Sequence, residues 1–373
     1  MLARIHFFPG LCLFVIGIAL VIHLARRNPS KWALRGAFGA SALLLLGYLL
    51  EFERIMRLIP VLWATWLECA SIFTLLVLLV TALTLRFGAD NLMVDAPRRV
   101  FLQTAAAGLC IAPMAVTTFG IIRRNQFKLT EVKIPIAGLS KDLDGLKIVQ
   151  ITDIHLSPFM SEQEFARAVD MANETRAQVA LVTGDLISRR GDPLDACLRQ
   201  LARLRAESAV LGCLGNHEIY TGTSDYVAEQ GQRIGIEFLR GCARPLRFGG
   251  ASINFAGVDY QRFGHPYLRG ADQLIAPGSL NILLSHNPDV FPTAAAQGYD
   301  LTIAGHTHGG QVDFEILHQH MNVARVYTPY VSGLYSRGNS SVYVSPGLGT
   351  IGVPVRIGAP AEVALLRLCA TSS

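Results

Sequence analysis

Two patterns of apolar and polar positions divide the chain. The first 122 residues contain four long apolar stretches, at 5–25, 33–50, 61–85 and 100–122. A helix needs about 20 mainly apolar residues to cross a bilayer, and each stretch reaches or approaches that length. The first stretch alone could be a signal peptide, but the three that follow it favour a bundle of helices. The pattern therefore predicts an all-α transmembrane helical segment over residues 1–125.

From Gly145 onward, short apolar runs alternate with amphipathic stretches. Ser161 and Glu164 have the spacing of a capping box at the start of the first amphipathic stretch. Strand–helix–strand repetition implies right-handed crossovers and a largely parallel arrangement, and the number of strands predicts two sheets packed face to face with helices outside. Helices are predicted at 161–176 and 194–205, and strands at 146–151, 179–183, 209–214, 246–248, 252–258, 280–285, 300–304, 341–345 and 362–368.

The composition agrees with a membrane segment followed by a more polar domain. Hydrophobic residues make up 51% of the chain and charged residues only 16%, whereas soluble domains carry about a quarter charged residues. Residues 1–128 contain 13 Lys and Arg and 5 Asp and Glu, which leaves 20 and 23 for the remainder. The C-terminal domain thus offers no basic groove for nucleic acid. The seven cysteines form no CxxC pair, which excludes a zinc knuckle or a thioredoxin-type motif.

The charges that flank the apolar stretches predict an orientation. Basic residues are concentrated at 26–35 and 86–99, and the positive-inside rule places both connections in the cytoplasm. Residues from 125 onward then lie outside the cytoplasm, although the basic residues at 123–128 oppose this orientation. The run at 97–102 resembles a twin-arginine export signal, with an ordinary basic helix flank as an equal alternative. Both interpretations give the same orientation.

Polar side chains follow five of the predicted strands, each at the carboxyl end. In open α/β sheets these ends form the edge where ligands bind. A single His, Asp or Asn after a strand usually caps a turn or lies on the surface, but five such positions in step with the strands need another explanation. Glycines before several of them allow tight turns that bring the side chains towards a shared centre. The five segments are Thr152–His155, Gly184–Asp185, Gly215–Glu218, Ser285–Pro288 and Gly305–Gly310.

The residue types in these segments suit a metal-dependent hydrolytic site. Carboxylate, imidazole and amide oxygen ligands without thiolate are typical of Mn, Fe or Zn. Two divalent metal ions roughly 3.5–4 Å apart can clamp a phosphoryl group and activate water for attack. One carboxylate must then bridge both ions, and Asp185 is the natural candidate because it stands alone on its loop.

The combination of motifs resembles the calcineurin-like metallophosphoesterase superfamily. The resemblance covers about residues 126–373, and all of its motif blocks are present in order. It implies an α/β fold, a two-sheet α/β/β/α metallophosphoesterase sandwich, here preceded by the transmembrane segment. Gly305–Gln311 and Ser345–Thr350 are similar to the bacterial branch of YkuE- and YaeI-type phosphodiesterases. The blocks that carry the resemblance are Asp153-x-His155, Gly184-Asp185, Gly215-Asn216-His217-Glu218, His286 and Gly305-His306-x-His308.

The resemblance also implies a role for each motif residue. His217 is expected to face the phosphate as a catalytic residue and not to bind metal. The histidines outside the motifs, His265, His318 and His320, are expected on the surface, with a lesser chance that His265 lines the pocket. The first metal would be bound by Asp153, His155, Asp185 and His308, and the second by Asp185, Asn216, His286 and His306.

These observations together predict a membrane-anchored, dinuclear-metal-dependent phosphoesterase. The expected substrates are phosphodiesters or pyrophosphate-linked compounds, lipid-linked ones among them, because an anchor holds the site near the bilayer. The expected location is the bacterial inner (cytoplasmic) membrane, with several spans and the catalytic domain outside the cytoplasm. The alternative is a transporter or sensor whose C-terminal domain binds a phosphate ligand. The spans show no internal repeat and no motif residue is missing, which disfavours that alternative.

Overall fold

The computed structural model describes residues 118–262, 267–316, 319–352 and 354–371. Apart from positions 118–122, the four predicted spans fall outside these residues, as do His265 and His318. Among the described residues, no helix combines the length and the apolar character needed to cross a membrane. Residues 123–373 form one compact unit.

The described part of this unit is built mainly from β-strands, with short helices between them. The strands are β1 (Lys128–Ile136), β2 (Lys147–Ile151), β3 (Val179–Val182), β4 (Ala209–Gly212), β5 (Ile236–Phe238), β6 (Cys242–Phe248), β7 (Ala251–Gly257), β8 (Leu280–Leu284), β9 (Leu301–Ala304), β10 (Asp313–Ile316), β11 (Gln319–Asn322), β12 (Gly333–Arg337), β13 (Ser340–Val344) and β14 (Glu362–Ala370). The helices are α1 (Glu162–Glu174), α2 (Leu194–Leu201), α3 (Asn216–Thr221), α4 (Ser224–Arg233) and α5 (Phe291–Gln297).

Two six-stranded sheets contain most of these strands. The first has the order β1-β14-β2-β3-β4-β5, and the second has the order β12-β13-β9-β8-β7-β6. Strands β2 to β5 are parallel to one another, and so are β7, β8, β9 and β13. The carboxyl ends of the parallel strands therefore lie at one edge of each sheet. Strands β10 and β11 form a separate antiparallel hairpin.

Alternating side chains place each strand between two apolar layers. In β3, Val179 and Leu181 face the second sheet, whereas Ala180 and Val182 face helices α1 and α2. This alternation follows from the pleat, which turns successive side chains to opposite faces. The core between the sheets includes Leu211 and, from the second sheet, residues such as Phe255, Ile282 and Ile303. The two-sheet α/β architecture predicted from the sequence is thus confirmed.

Several local predictions are also confirmed, with small differences at the ends of elements. Helix α1 begins directly after Ser161, the first residue of the predicted capping box. Ser161 and Glu164 each accept a hydrogen bond from the backbone N–H of the other through their side chains. The predicted pair at 246–248 and 252–258 is the antiparallel pair β6–β7, whose first strand is longer than predicted. Helix α3, which begins at Asn216, was not among the predicted helices.

Candidate metal centre

Both sheets deliver their polar strand ends to one place. Asp153 and His155 follow β2, Asp185 follows β3, and His217 lies in the first turn of α3 after β4. From the second sheet, His286 follows β8, and His306 and His308 follow β9. Apart from His217, these side chains form two groups that share one carboxylate. The first group is Asp153, His155, Asp185 and His308, and the second is Asp185, His286 and His306.

The first group is fully enclosed by protein. Its ring nitrogens His155 Nε2 and His308 Nε2 lie 3.1 Å apart, and His308 Nε2 lies 3.3 Å from Asp153 Oδ1. His155 Nε2 is 3.5 Å from Asp185 Oδ2. All four side chains are buried. Four ligand atoms thus converge within bonding range of a single central position.

Asp185 connects this group to the second one. Its Oδ2 atom lies 3.0 Å from His286 Nε2, so one oxygen faces a histidine of each group. The ring of His306 lies 5.0 Å from that of His286, measured between centroids. Asp185 is thus the residue that the two groups share.

Asn216 is the remaining ligand that was predicted for the second metal. It stands beside His217, whose backbone N–H donates to Asp185 Oδ1 at 2.9 Å. In the described part of the chain, the buried Oδ1 atom of Asn216 has no hydrogen-bond partner. A buried amide oxygen without a partner is costly unless a donor or a cation satisfies it. The mixed set of carboxylate, imidazole and amide oxygen atoms therefore fits divalent metal ions.

The backbone is strained where these side chains converge. Eight non-glycine residues of the described part have a positive φ, and five of them carry predicted ligands. Such conformations cost of order 1–3 kcal/mol each and persist only where the surrounding structure enforces them. The five residues are Asp153, His155, Asp185, His306 and His308.

The close approach of the loops explains why two of the motif positions are occupied by glycine. A Cβ atom on Gly215 would overlap the side chain of Asp185, and one on Gly305 would overlap those of Asp153 and Thr152. The absence of a side chain at these two positions lets the metal-facing carboxylates pack directly against backbone.

Hydrogen bonds hold Asp153 in place. Its carboxylate accepts from the Thr152 hydroxyl at 2.8 Å and from the backbone N–H of His306 at 3.0 Å. One donor comes from the first sheet and the other from the second. Both halves of the site therefore orient this carboxylate. Hydrogen bonds of this kind commonly orient the ligands of metal ions.

Arg356 is a buried residue that sequence reasoning missed. Among the described residues, its guanidinium donates only to backbone carbonyl groups, and Nη2 contacts Pro346 O at 2.8 Å while Nη1 contacts Ala359 O at 3.0 Å. Burial lowers its pKa to about 10. The position carries no local signal, because its acceptors are distributed over two loops: His308, Pro346, Gly347, Gly349 and Ala359.

His217 is held by one ring nitrogen. Its Nδ1–H donates to Ser188 O at 2.7 Å, which leaves Nε2 as the second functional nitrogen of the ring. Its ring lies 4.7 Å from that of His155, edge to face. Burial lowers the pKa of His217, and Asp185 opposes that effect. The residue therefore borders the first group without belonging to either ligand set.

The ionisable side chains of the site shift one another's pKa values. Burial opposes a charge on His286, but Asp185 and Asp153 overcome this effect and raise its pKa to about 10. Burial also opposes the charge on Asp185, yet His286 and His155 keep its pKa well below the usual range. Burial and then His286 lower the pKa of His306 to about 3. A divalent cation that binds here would therefore have to displace the proton of His286.

Comparison with known proteins agrees with this geometry. Residues 146–324 match the family model of the calcineurin-like phosphoesterases. This match and the buried Asp/His cluster point to a domain of the metallophosphoesterase type with a site that could hold divalent metal. This part of the chain is thus of the calcineurin-like metallophosphoesterase type, as the sequence motifs predicted.

Three relatives show how far the similarity extends. The chain is 31% identical over 280 residues to a transmembrane protein with metallophosphoesterase domain from Danio rerio, covering 70% of this chain and 62% of the relative. It is 30% identical to the protein of the same name from Bos taurus, covering 74% and 64%. It is 27% identical to the uncharacterized metallophosphoesterase YkuE of Bacillus subtilis, covering 74% and 98%. The chain thus spans less than two thirds of the two vertebrate relatives.

Proposed function

We propose that this protein is a dinuclear-metal-dependent phosphoesterase that hydrolyses phosphodiesters or pyrophosphate-linked compounds. The observation that carries the proposal is the position of Asp185 Oδ2, 3.0 Å from His286 Nε2 and 3.5 Å from His155 Nε2. A carboxylate oxygen between two buried histidine groups is suited to bridge two cations. The residues that would hold the first ion are Asp153, His155, Asp185 and His308, and those for the second are Asp185, Asn216, His286 and His306.

Two bound divalent cations would supply Lewis-acid polarisation of the phosphoryl group and an activated water molecule. The protein contributes the fixed positions of their ligands. The backbone N–H of His217 donates to the carboxylate of Asp185, and the carboxylate of Glu218 accepts from the backbone N–H of Asp185, so that α3 holds this residue in place. None of these groups has to become a covalent nucleophile, since water is the attacking group in this scheme.

His217 is the proton donor in the proposed reaction. Because Nδ1–H is bonded to Ser188 O, the ring can rotate little, and Nε2–H of the imidazolium is available to the leaving oxygen. Burial lowers the pKa of His217 and so makes its protonated form a stronger acid. An anionic phosphoryl group beside the ring favours the protonated form. The same contact stabilises charge that develops on the phosphoryl oxygen atoms.

The proposal includes attachment to a membrane. Its support is the set of apolar stretches within residues 1–125 and the positive-inside pattern of their flanks. Both patterns favour the bacterial cytoplasmic membrane, with the catalytic domain outside the cytoplasm. Substrates linked to lipids are candidates because they share the bilayer with the anchor.

The test uses the full-length chain, purified without chelator and assayed with added Mn, Fe, Zn or Mg. We expect about two metal equivalents per chain by elemental mass spectrometry and hydrolysis of bis(p-nitrophenyl) phosphate. A lipid pyrophosphate is assayed in parallel, in mixed micelles. A folded protein with two bound metals and no turnover on either substrate would refute the esterase and favour the ligand-binding alternative.

A further inference from the structure

Two tyrosines border the metal centre from different elements. Tyr220 lies near the end of α3, its ring 5.6 Å from that of His217, and 56% of its surface is exposed. Tyr260 lies in the loop after β7, its ring 5.3 Å from that of His306 and 6.2 Å from that of His286. Tyr220 thus stands beside His217, and Tyr260 stands beside two histidines of the second group.

Neither ring is explained by packing. Among the described residues, the hydrophobic core clusters include neither Tyr220 nor Tyr260. Each ring instead packs against histidines of the site, Tyr220 against His217 and Tyr260 against His306 and His286. Both rings therefore border the metal centre.

The loop that presents Tyr260 is held on both sides of that residue. Before it, Asp259 receives two hydrogen bonds from Arg240, Nε to Oδ1 at 2.9 Å and Nη2 to Oδ2 at 3.0 Å. After it, the backbone carbonyl of Gln261 accepts from Asn287 Nδ2 at 2.8 Å. Arg240 also donates to Asp225 at the start of α4. A half-buried aromatic ring on a loop fixed in this way is preorganised for contact with a ligand.

We infer that Tyr220 and Tyr260 form an aromatic clamp, defined by these two residues, that binds a flat unsaturated group of the substrate. The inference rests on the proposed function, and it narrows the substrate class to phosphoesters that carry an aryl group or a nucleoside base. Aromatic rings interact with other flat rings by stacking or edge to face, in addition to the burial of apolar area. A saturated ring of the same size gains the area but lacks the specific contact.

The test measures binding of two matched anions by calorimetry to the full-length, metal-loaded protein. Phenyl phosphate and cyclohexyl phosphate differ in ring flatness and present the same phosphate. We expect phenyl phosphate to bind about 2- to 12-fold more tightly, the range of an aromatic pair. The ratio should fall to about one in Tyr260→Leu and to an intermediate value in Tyr220→Leu.

Two further variants separate the ring from other roles of these residues. Tyr260→Phe keeps the ring and removes the hydroxyl, which lies 3.5 Å from His306 Nε2, so the preference for phenyl phosphate should persist. Tyr226→Leu is the matched control, because Tyr226 is 43% exposed and its hydroxyl is bonded to Asp195. Metal content is measured for every variant, so that loss of an ion is not mistaken for loss of the clamp.

The two levels of the proposal fail in different ways. Equal binding of the two anions by the wild type, or a ratio that survives both Leu substitutions, would overturn the clamp while leaving the esterase standing. Absence of binding of inorganic phosphate, phenyl phosphate and cyclohexyl phosphate to the metal-loaded wild type would overturn the proposed function and the clamp with it.

Discussion

The buried carboxylate of Glu218 accepts a hydrogen bond from the backbone N–H of Asp185 at 3.0 Å. The same carboxylate accepts from the N–H groups of Leu186 at 2.8 Å and Gly215 at 2.7 Å. Glu218 therefore joins the end of β3 to the start of α3. The position of Asp185 therefore depends on a residue that lies outside both groups of candidate ligands.

Glu218→Gln should destabilise the protein and weaken metal binding. The amide replaces one acceptor oxygen by an NH2 group, which then faces backbone donors. We expect a loss of about 1–3 kcal/mol in the free energy of unfolding, measured by urea titration of the metal-free protein. Glu229→Gln is the control, because this exposed residue forms only an i,i+4 ion pair with Arg233 and should cost about 0.5 kcal/mol or less. Equal effects of the two substitutions would contradict the role of Glu218.

Asp185→Asn should lose more metal than Asp153→Asn. Asp185 Oδ2 faces histidines of both groups, so loss of its charge weakens two sites at once. Asp153 belongs to the first group only. Elemental mass spectrometry of the purified variants provides the count of bound ions. Two ions retained in Asp185→Asn, with near-normal turnover, would remove this residue as the bridge.

His217→Ala should keep both metals and lose turnover. Removal of a transition-state hydrogen bond or proton donor reduces the rate by about 10²–10³-fold, with the loss mainly in kcat. The loss should be smaller for a nitrophenyl ester, since nitrophenolate leaves without a proton. If the variant lacks one metal equivalent, His217 is a ligand, and the set of residues proposed to bind the second metal has to be revised.

The metal-free protein should lose stability as the pH rises above neutrality. The pKa of His286 is raised from 6.5 to about 10, so its protonated form stabilises the fold fully below about pH 6.5, and this contribution is lost as the pH passes through about 10. Urea unfolding in the presence of a chelator at pH 7, 8 and 9 measures the slope. The His286→Gln variant should show a flatter dependence over this range. Parallel slopes for the two proteins would rule out His286 as the source.

Arg356→Met should destabilise the protein and weaken the first metal site. The substitution removes the Arg356 donor from five carbonyl groups, of which those of His308 and Gly347 keep a backbone donor, and we expect a loss of about 3 kcal/mol. The loop it holds matters because Gly347 packs against Asp153 and Gly349 against His155. Arg356→Lys should recover little, because an ammonium group cannot reach acceptors spread in a plane. Arg203→Met, at an exposed ion pair with Asp170, is the control and should change both quantities little.

The strand-end motifs could be recognised in sequence because each is short and local. A strand such as β3 alternates its apolar residues between two layers, and the polar residue directly after it must leave the core. The capping box at Ser161 is equally local and was predicted for the same reason. Strand β1 was not predicted, since most of its side chains are exposed or half-buried and it is held by pairing with β14, more than two hundred residues away.

The sequence by itself determined the two-sheet α/β class, the order of the strands that carry the motifs and the residue types of the candidate metal centre. Those features depend on periodicity and on short spacings, which a chain displays without folding. Tertiary structure decided that Glu218 fixes the loop of Asp185, that Arg356 ties two loops behind His308, and that Tyr260 stands beside His306. Each of these contacts joins residues that are distant along the chain, and only the pairing of strands within a sheet brings the segments that follow them within hydrogen-bonding or van der Waals distance.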